Sequence, residues 1–566
     1  MKYFFTLIFI GLVCQTDFIY GQANDSEKGQ FSGNLLLNYQ KYLRDDSIGA
    51  NTKVYKENTA STDAWLFMQY RIKGYSFIVR YDVFNNSPLL NPQDAYTNQG
   101  IGFWQVNKRI DKLDLTVGSF YEQFGTGILF RSYEQRLLGI DYAMQGIRLK
   151  YNINQNWVIK GFSATQKGNN KNRFGYANQV VSGVNIEGFL PLGTAGKWGN
   201  VQLGSSFVNR TLDRETMDRL VASINNYDIK DRFYPTYNFY GYNAYATYTK
   251  GNFSWSNEIN VKSPEAILGM NNLFKLRGGS ALYTSFSWGK GGLKMGKNEA
   301  SIGLNVQARH VDNFSFKTAP TETLLNGLLG YLPSMTRQNT YRLLSRYNAP
   351  GQELGEDGVQ GEIEFKPRKG TQIFVNTSYV QSLASNGKLD PVSGNRVAEK
   401  LFSENYIEVL QSIGKQDKLK LGIQRISYNQ ARYESESEYQ VVETFTPFGE
   451  WLHKMDKGKS FRLEWQFLST PYDQGSFANL LLEVFVKKNL SVAMGDMANV
   501  KPHRYDRMTI ANKVLHYPSF FIGYTEKNTF FSLAYIKQQQ GVNCSGGICR
   551  EEPAFSGIRF TVSSNF

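Results

Sequence analysis

The sequence of 566 residues predicts an all-β protein, a transmembrane antiparallel β-barrel of about 24 strands within a range of roughly 22 to 26. Three observations lead to this fold class. Apolar and polar residues alternate in segment after segment, short turns alternate with long loops, and the chain ends on an aromatic residue, Phe566. A strand with one apolar and one polar face suits a wall with lipid outside and water inside.

The alternation is clearest in the final segment, where Ile558, Phe560, Val562 and Phe566 share one face and polar residues stand between them. A helix would place its apolar residues three and four positions apart. A soluble β-solenoid or β-sandwich is the alternative, but no repeat of fixed period is present. The same period of two recurs in segments that begin near Phe31, Tyr75, Phe253, Ile302 and Phe461.

The N-terminus predicts a secretory signal peptide over residues 1–21. Lys2 precedes an apolar run from Phe4 to Val13, and small residues follow at Gly21 and Ala23. The run is too short to span a bilayer. Cys14 leaves a lipoprotein as the alternative. We expect residues 22–29 to form a short periplasmic segment and residues 30–566 to form a single barrel.

The bulk composition agrees with an exported barrel. The aromatic fraction is 14%, Gly residues number 52, and mean hydropathy is −0.41. The formal net charge of +14 would favour nucleic acid in another compartment, but an exported barrel does not meet nucleic acid. Two interpretations stay open: charge spread over turns, loops and lumen, or a lumen or mouth that favours anions or contacts lipopolysaccharide.

Separators of two kinds alternate between the predicted strands. Short turns at one rim and long loops at the other are the outer-membrane arrangement, with the short turns periplasmic and the long loops extracellular. An even number of strands would place both chain ends in the periplasm. The short separators lie at 73–74, 111–112, 154–156, 250–252, 369–370, 457–458, 487–489 and 527–528, and the long ones near 43–61, 122–143, 209–236, 263–278, 312–357, 383–399, 429–439 and 498–514.

Cys544 and Cys549 are the two cysteines that remain after processing. They flank a short segment with two glycines just before the last strand, and the exported compartment permits a disulfide. We therefore predict a Cys544–Cys549 disulfide. A zinc site would need more ligands than the four His residues of the chain offer in suitable spacing.

The segment 120–143 is the candidate functional loop because it combines Gly, aromatic residues and paired charges. It could fold inward as a constriction, with Arg131 and Arg136 near Glu134 and Asp141; Glu122 lies at its start. The alternative is an ordered outer loop braced on the rim. Apolar residues at helical spacing also predict short amphipathic helices in the 312–357 and 209–236 loops, as caps or plugs of the mouth, as partner surfaces, or simply packed on their own barrel.

No motif for an enzyme, a cofactor or a metal ion emerges. The chain has no Gly-x-Ser-x-Gly elbow, and no His lies beside a motif serine or in a metal spacing. Residues 289–294 weakly resemble a phosphate loop, but we interpret them as a turn between strands. The sequence thus predicts a non-enzymatic protein without cofactors.

Four segments resemble a known family: Phe-Tyr-Glu-Gln-Phe-Gly from Phe120, Arg-x-Tyr-Glu from Arg131, Leu-Gly-Ile-Asp from Leu138, and Cys-x-Gly-Gly-x-Cys-Arg from Cys544. In these segments the chain is similar to an uncharacterised family of Bacteroidota outer-membrane barrels, a domain of unknown function. The resemblance implies a barrel in a Gram-negative outer membrane. The family has no established activity, so no functional residue is carried over.

Two functions are compatible with this fold. The first is a porin-like channel or transporter of unknown substrate, and the alternative is a structural or accessory subunit of a larger outer-membrane assembly or secretion complex. An open lumen would favour the first, and a lumen filled by its own loops would favour the second. The expected partners are outer-membrane lipid, lipopolysaccharide, proteins at the rim or outer loops, and the β-barrel assembly machinery, which would engage Phe566.

Overall fold

The strands of the protein hydrogen-bond in chain order and close into a ring, as seen in a computed structural model. The structure describes residues 28–566 except 91–93, 169–172, 269–272, 323–324, 390–392, 435–440, 503–513 and 546–547. The predicted signal peptide, residues 1–21, lies outside the described residues, as does most of the 22–29 segment. Among the described residues, 24 strands form one antiparallel sheet, which confirms the predicted fold class.

The barrel strands are numbered here in chain order. They are β1 Gln30–Tyr42, β2 Ala60–Ile72, β3 Tyr75–Ser87, β4 Tyr96–Ile110, β5 Leu113–Phe120, β6 Met144–Asn152, β7 Trp157–Lys167, β8 Tyr176–Pro191, β9 Asn200–Thr211, β10 Asn238–Lys250, β11 Phe253–Leu268, β12 Phe274–Met295, β13 Asn298–Asp312, β14 Gly355–Arg368, β15 Thr371–Ser382, β16 Lys400–Ile413, β17 Asp417–Tyr428, β18 Val442–Lys454, β19 Ser460–Leu468, β20 Gly475–Lys487, β21 Leu490–Pro502, β22 Leu515–Glu526, β23 Thr529–Gln538 and β24 Phe555–Asn565.

Closure takes place between the first and the last strand. Leu37 of β1 lies opposite Ala64 of β2 on one side and Val562 of β24 on the other. Beyond β24, Phe566 and Gly33 exchange two backbone hydrogen bonds of 2.7 and 3.0 Å. The terminal residue therefore belongs to the closing pair of strands, and the sheet has no free edge at this point.

The connections alternate as the sequence predicts. The eleven that lie at the same rim as the chain ends are turns of two to eight residues, and the connections at the other rim have five to 42 residues. The interpretation of residues 289–294 as a turn was wrong. They belong to β12, with a bulge between Lys290 and Leu293, and the turn follows at Gly296 (φ 60°) and Lys297.

The two faces of the wall have opposite chemistry. Outward side chains are apolar and exposed to the surroundings, for example Ile147, Val184, Ile259, Leu282 and Ile423. Inward positions carry polar side chains, for example Asp82, Asn185, Asn243, Asn376 and Gln424, which are all buried. Buried polar residues on the inner face mean that something other than water covers them.

In the described parts of the long loops there are three short α-helices: α1 Lys53–Glu57, α2 Arg214–Asn225 and α3 Gln430–Tyr433. The predicted helix in the 209–236 loop is confirmed by α2. Its N-cap Asp213 accepts a hydrogen bond of 3.0 Å from the Thr216 N–H, and Leu220 faces inward. Of the helices in the described part, none has the length and apolar character needed to cross a membrane.

The predicted helices in the 312–357 loop are wrong, because its described residues form no α-helix. Short helices depend on tertiary packing. In this loop, Gly327 adopts φ 64°, and Pro333 cannot donate a backbone hydrogen bond. The backbone groups bond instead to the wall and to a second loop.

Candidate functional site

Two long loops fold into the lumen, and we call them the plug loops: plug loop A, residues 121–143, and plug loop B, residues 313–354. Both contribute to one apolar core with the inner wall. Phe124 and Phe130 of loop A pack on Phe162 of β7, with ring centroids 5.7 and 4.7 Å apart. Phe316 and Leu329 of loop B are buried in the same cluster. This half of the lumen therefore has a protein core.

The plug loops also bond to each other. The Arg131 N–H donates to the Leu329 carbonyl at 2.8 Å, and the Tyr331 N–H donates to the Gly127 carbonyl at 2.9 Å. The Arg131 guanidinium lies over the rings of Tyr133 and Tyr331, 4.8 and 4.3 Å from their centroids. Cation–π contacts of this kind are strongest where water is excluded. The two loops form one unit.

The second part of plug loop B crosses to the opposite wall. The Leu343 N–H donates to Gln466 of β19 at 2.7 Å, and the Tyr341 hydroxyl donates to Glu450 of β18 at 2.9 Å. Arg337 lies 3.9 Å from the ring centroid of Phe374, which belongs to β15. A second apolar cluster surrounds these contacts and joins Met335, Leu343, Tyr347 and Ala349 of loop B to Val380, Phe402, Ile426, Val442, Leu468 and Phe477 of the wall.

Arg80 of β3 is the centre of a buried charge cluster that holds loop A. Its guanidinium pairs with Asp82 on its own strand at 2.7 Å, with Glu134 at 2.6 Å and with Asp141 at 2.7 Å. Lys167 of β7 lies 2.9 Å from the same Asp141 carboxylate. The side chains of Arg80, Asp82, Asp141 and Lys167 are exposed by at most 1%. Pairs this deep are maintained only when each charge has its partner.

Asp141 stays ionised in this cluster. Burial alone would raise the pKa of its carboxyl, but the cations of Lys167, Arg80 and Arg173 together hold that pKa below its ordinary value. The Tyr121 hydroxyl donates to Asp141 at 2.8 Å, and the pKa of Tyr121 is well above its usual value because the ring is buried beside this carboxylate. The cluster therefore anchors loop A to β3 and β7.

The other predicted loop residues also reach partners inside the barrel. Glu122 lies 3.4 Å from Arg148 of β6 and 3.7 Å from Lys160 of β7. Arg136 pairs with Glu134 at 2.9 Å. The expectation that both arginines accompany the acids therefore holds for Arg136, whereas Arg131 stacks on tyrosines. The role of these five residues as a constriction remains a prediction.

The tip of loop A is fixed to the wall by Glu258 of β11. The Thr126 N–H donates to its carboxylate at 2.7 Å. Gly125 beside it has φ 56°, and a Cβ there would stand 2.6 Å from the same carboxylate oxygen. Only glycine combines this backbone conformation with this approach.

The lumen half next to the short turns is different. Its ion pairs stay partly open to solvent: Arg148 with Asp114, and Arg462 with Glu450 and Glu483, at distances of 3.4, 3.2 and 3.0 Å. The exposed fractions of Arg148 and Arg462 are 20% and 27%. We call this region the turn half and the plugged region the loop half.

The two remaining predicted sites lie at opposite rims. Cys544 and Cys549 are direct cross-strand partners in a small hairpin of Gly541–Ser545 with Ile548–Glu552. That register suits a disulfide, whose Cα atoms stand about 4.4 to 6.8 Å apart, but the side chains lie outside the described residues and the disulfide stays a prediction. Phe566 is half exposed, with its ring 6.1 Å from that of Phe31. Its use by assembly machinery also stays a prediction.

A model of a family of unknown function, DUF6029, matches residues 1–566. The chain belongs to this family. A comparison with curated protein sequences gives no match. The family membership fits the resemblance found in the sequence, while a Bacteroidota origin remains a prediction.

Three solved structures illustrate the similarity, at 8 to 9% sequence identity. The P pilus usher PapC translocation pore shares 8% identity at a TM-score of 0.41, with 95% of this chain and 99% of that chain covered. The siderophore receptor PirA from Pseudomonas aeruginosa shares 8% identity at a TM-score of 0.42, with 96% of this chain and 81% of that chain covered. The OccD1 (OprD) variant shares 9% identity at a TM-score of 0.34, with 96% of this chain and 97% of that chain covered. Similarity at this level carries no function over.

Sequence reasoning missed the wall partners of the plug. Lys167 reaches Asp141 because the β6–β7 hairpin places Met144 opposite Gln166, and Arg173 approaches from the loop that follows β7. Strict alternation from Phe162 would place Lys167 on the outer face of β7, and a shift in register between Thr165 and Lys167 turns it inward, so the strand period does not predict this contact. Within the described part, no group of three or more His, Cys, Asp or Glu residues could hold a metal ion.

Proposed function

We propose that this protein is a non-enzymatic outer-membrane barrel that serves as a structural or accessory subunit of a larger membrane assembly, with its lumen closed by the plug loops. The observation that carries this proposal is the apolar inner wall of the loop half. Val208, Val311, Phe402, Leu468 and Phe477 project from barrel strands towards the plug and are almost completely buried.

An apolar inner wall argues for a plug that stays in place. A diffusion channel needs a wall that water can wet, and porin interiors are polar. Displacing the plug loops would expose apolar surface on both sides at about 25 cal/mol per Å². It would also separate the buried charges of Arg80, Asp141 and Lys167. Both penalties oppose an opening driven by thermal motion alone.

The membrane location rests on the outer face. Exposed apolar side chains follow the outward positions of the strands, and aromatic residues such as Tyr75, Tyr151, Trp255 and Trp451 lie towards the short-turn rim. Apolar bands bordered by aromatic girdles are characteristic of barrels in an outer membrane.

A gated channel or transporter is the second candidate, and the turn half favours it. Its charged, partly exposed lining would admit water and ions from the short-turn side as far as the plug. This candidate requires a mechanism that moves the plug loops. The substrate would then depend on which residues line the lumen after the plug loops have moved.

A disulfide between plug and wall separates the two candidates. A Cβ built on Gly358 of β14 stands 3.4 Å from the Met335 Cβ of loop B, close to the usual spacing in disulfides. We would introduce Met335→Cys with Gly358→Cys in a background with Cys544→Ser and Cys549→Ser. Met335→Cys alone is the matched control.

The variants are expressed in cells that lack the native copy, extracted in mild detergent and separated by native electrophoresis with mass spectrometry. An accessory subunit should enter the same high-mass complex whether the disulfide is formed or reduced. If the protein instead runs as a solitary barrel under all conditions, the accessory function is wrong.

A further inference from the structure

Among the connections between strands, the short turns carry the excess of positive charge. The eleven short turns carry ten Lys residues and two acidic residues, Asp111 and Asp456. The long connections at the other rim carry 22 Lys and Arg residues against 23 acidic residues. The net charge of +14 therefore does not mark the mouth where lipopolysaccharide would lie.

The turn lysines are available for binding. Lys73, Lys297, Lys369, Lys415, Lys488 and Lys527 each occupy a different turn, and the other four lie in the turns at 111–112, 192–199 and 455–459. All except Lys457, whose side chain is outside the described residues, are exposed. None of these nine has a carboxylate within ion-pair distance in the part of the chain that the structure describes.

We propose that this lysine ring binds the anionic headgroups of phospholipids in the membrane leaflet that faces the short turns. Nine of the eleven turns carry at least one of these Lys residues, and the turns at 153–156 and 251–252 carry none. Each hairpin stands about 10 Å from the next. A lipid annulus touches a barrel all the way round, whereas a folded protein partner would need a compact patch. The proposal depends on the membrane location and is independent of the accessory function.

The side chains next to the ring fit this partner. The Lys108 ammonium lies 3.7 Å above the ring of Tyr75, an exposed aromatic residue on the outward face beside the turn at 73–74. Aromatic residues mark the headgroup level, and lysines reach past them with a long apolar stem. All the turn cations are Lys rather than Arg, which suits single phosphate charges more than paired, bidentate ones.

The test compares two variants with the same change in charge. The ring variant carries Lys73→Gln, Lys297→Gln, Lys369→Gln, Lys415→Gln, Lys488→Gln and Lys527→Gln. The control variant carries Lys53→Gln, Lys56→Gln, Arg214→Gln, Arg219→Gln, Lys230→Gln and Arg232→Gln, all exposed at the long-loop rim. Each barrel is held in dodecyl maltoside with equal amounts of phosphatidylglycerol and phosphatidylcholine, and retained lipid is counted by mass spectrometry.

A lysine near an anionic surface contributes a factor of about five in binding. We expect the ring variant to lower the ratio of retained phosphatidylglycerol to phosphatidylcholine at least tenfold, and the control variant to leave it unchanged. Raising the salt from about 0.1 M to about 1 M should also lower the ratio of phosphatidylglycerol to phosphatidylcholine that the wild-type barrel retains. If the ring variant does not fold, two variants that each carry three of its six substitutions are measured in its place.

Equal ratios for the wild type and the ring variant would overturn the proposal. It is also overturned if the ring variant keeps its phosphatidylglycerol but loses an acidic protein that accompanies the wild-type barrel, because the ring would then be a protein-binding surface.

Discussion

The loop half and the turn half of the lumen are built from the same strands, yet they differ in what covers their charged side chains. In the loop half, Arg80 and Asp82 are buried beneath plug loops and apolar side chains. In the turn half, Arg148 and Arg462 keep a fifth to a quarter of their surface in solvent. The comparison teaches that the inner wall is adapted to what covers it: a protein core on one side, water on the other.

The first prediction concerns the loss of stability when the central cation is removed from each half. Arg80→Met leaves Asp82 and Asp141 buried without that cation, and we expect a loss of about 3–5 kcal/mol in the free energy of unfolding. Arg148→Met should cost less than Arg80→Met, because its side chain and those of its partners Asp114 and Glu122 keep 11–20% of their surface in solvent. Thermal unfolding in detergent measures both. Equal losses would mean that the two halves do not differ in burial.

The apolar core of the plug gives the second prediction. Phe130 is fully buried and packs on Phe124 and Phe162, so Phe130→Ala should cost about 3 kcal/mol and should loosen loop A. Phe467→Ala is the control, because Phe467 is 42% exposed on the outer face. Hydrogen exchange of residues 121–143 should accelerate in the first variant only. Unchanged exchange would show that this core does not hold the plug.

The pH dependence of loop A gives the third prediction. The pKa of Asp141 is lowered in the folded barrel, so its contribution to stability is complete above the unfolded pKa of about 4 and is lost as the pH falls through the lower, folded pKa. Protection of loop A from hydrogen exchange should therefore be constant between about pH 7 and pH 5 and should fall only below about pH 4. Loss of protection near pH 6 would contradict the assigned charge state.

The smallest expected effect lies at the short-turn rim. Lys488→Gln removes an exposed turn cation without an ion pair in the described part, and the midpoint of thermal unfolding should not shift measurably. Lys167→Met in the loop half, which removes a buried partner of Asp141, should lower that midpoint clearly. A comparable drop for Lys488→Gln would show that the turn lysines stabilise the fold itself.

The sequence was sufficient for the barrel because the strand period and the turns are local. Alternation in segments such as 558–566, together with turn residues such as Lys73 and Gly74, specifies strands, hairpins and an even strand number. The helix α2 was also predictable, since Asp213 caps it and its apolar face is regular.

The plug was only partly predictable, because its structure depends on contacts between distant residues. Loop A carries its charges in a recognisable cluster, but the pairing of Asp141 with Arg80 and Lys167 depends on how loop A folds back across the inner face of β3 to β7. Loop B has leucines at helical spacing, yet its backbone bonds to Gly127, Gln466 and other groups of the wall and loop A. Local periodicity does not contain that information.

Whether the plug loops stay in the lumen is tested by the conductance of the Met335→Cys, Gly358→Cys barrel in a planar lipid bilayer, recorded under oxidising and then reducing conditions. Plug loops that stay in the lumen predict no steady conductance in either state, and none for the wild type. A stable conductance that appears on reduction and disappears on reoxidation would contradict the account, because it would show that the plug opens and that the barrel is a gated channel.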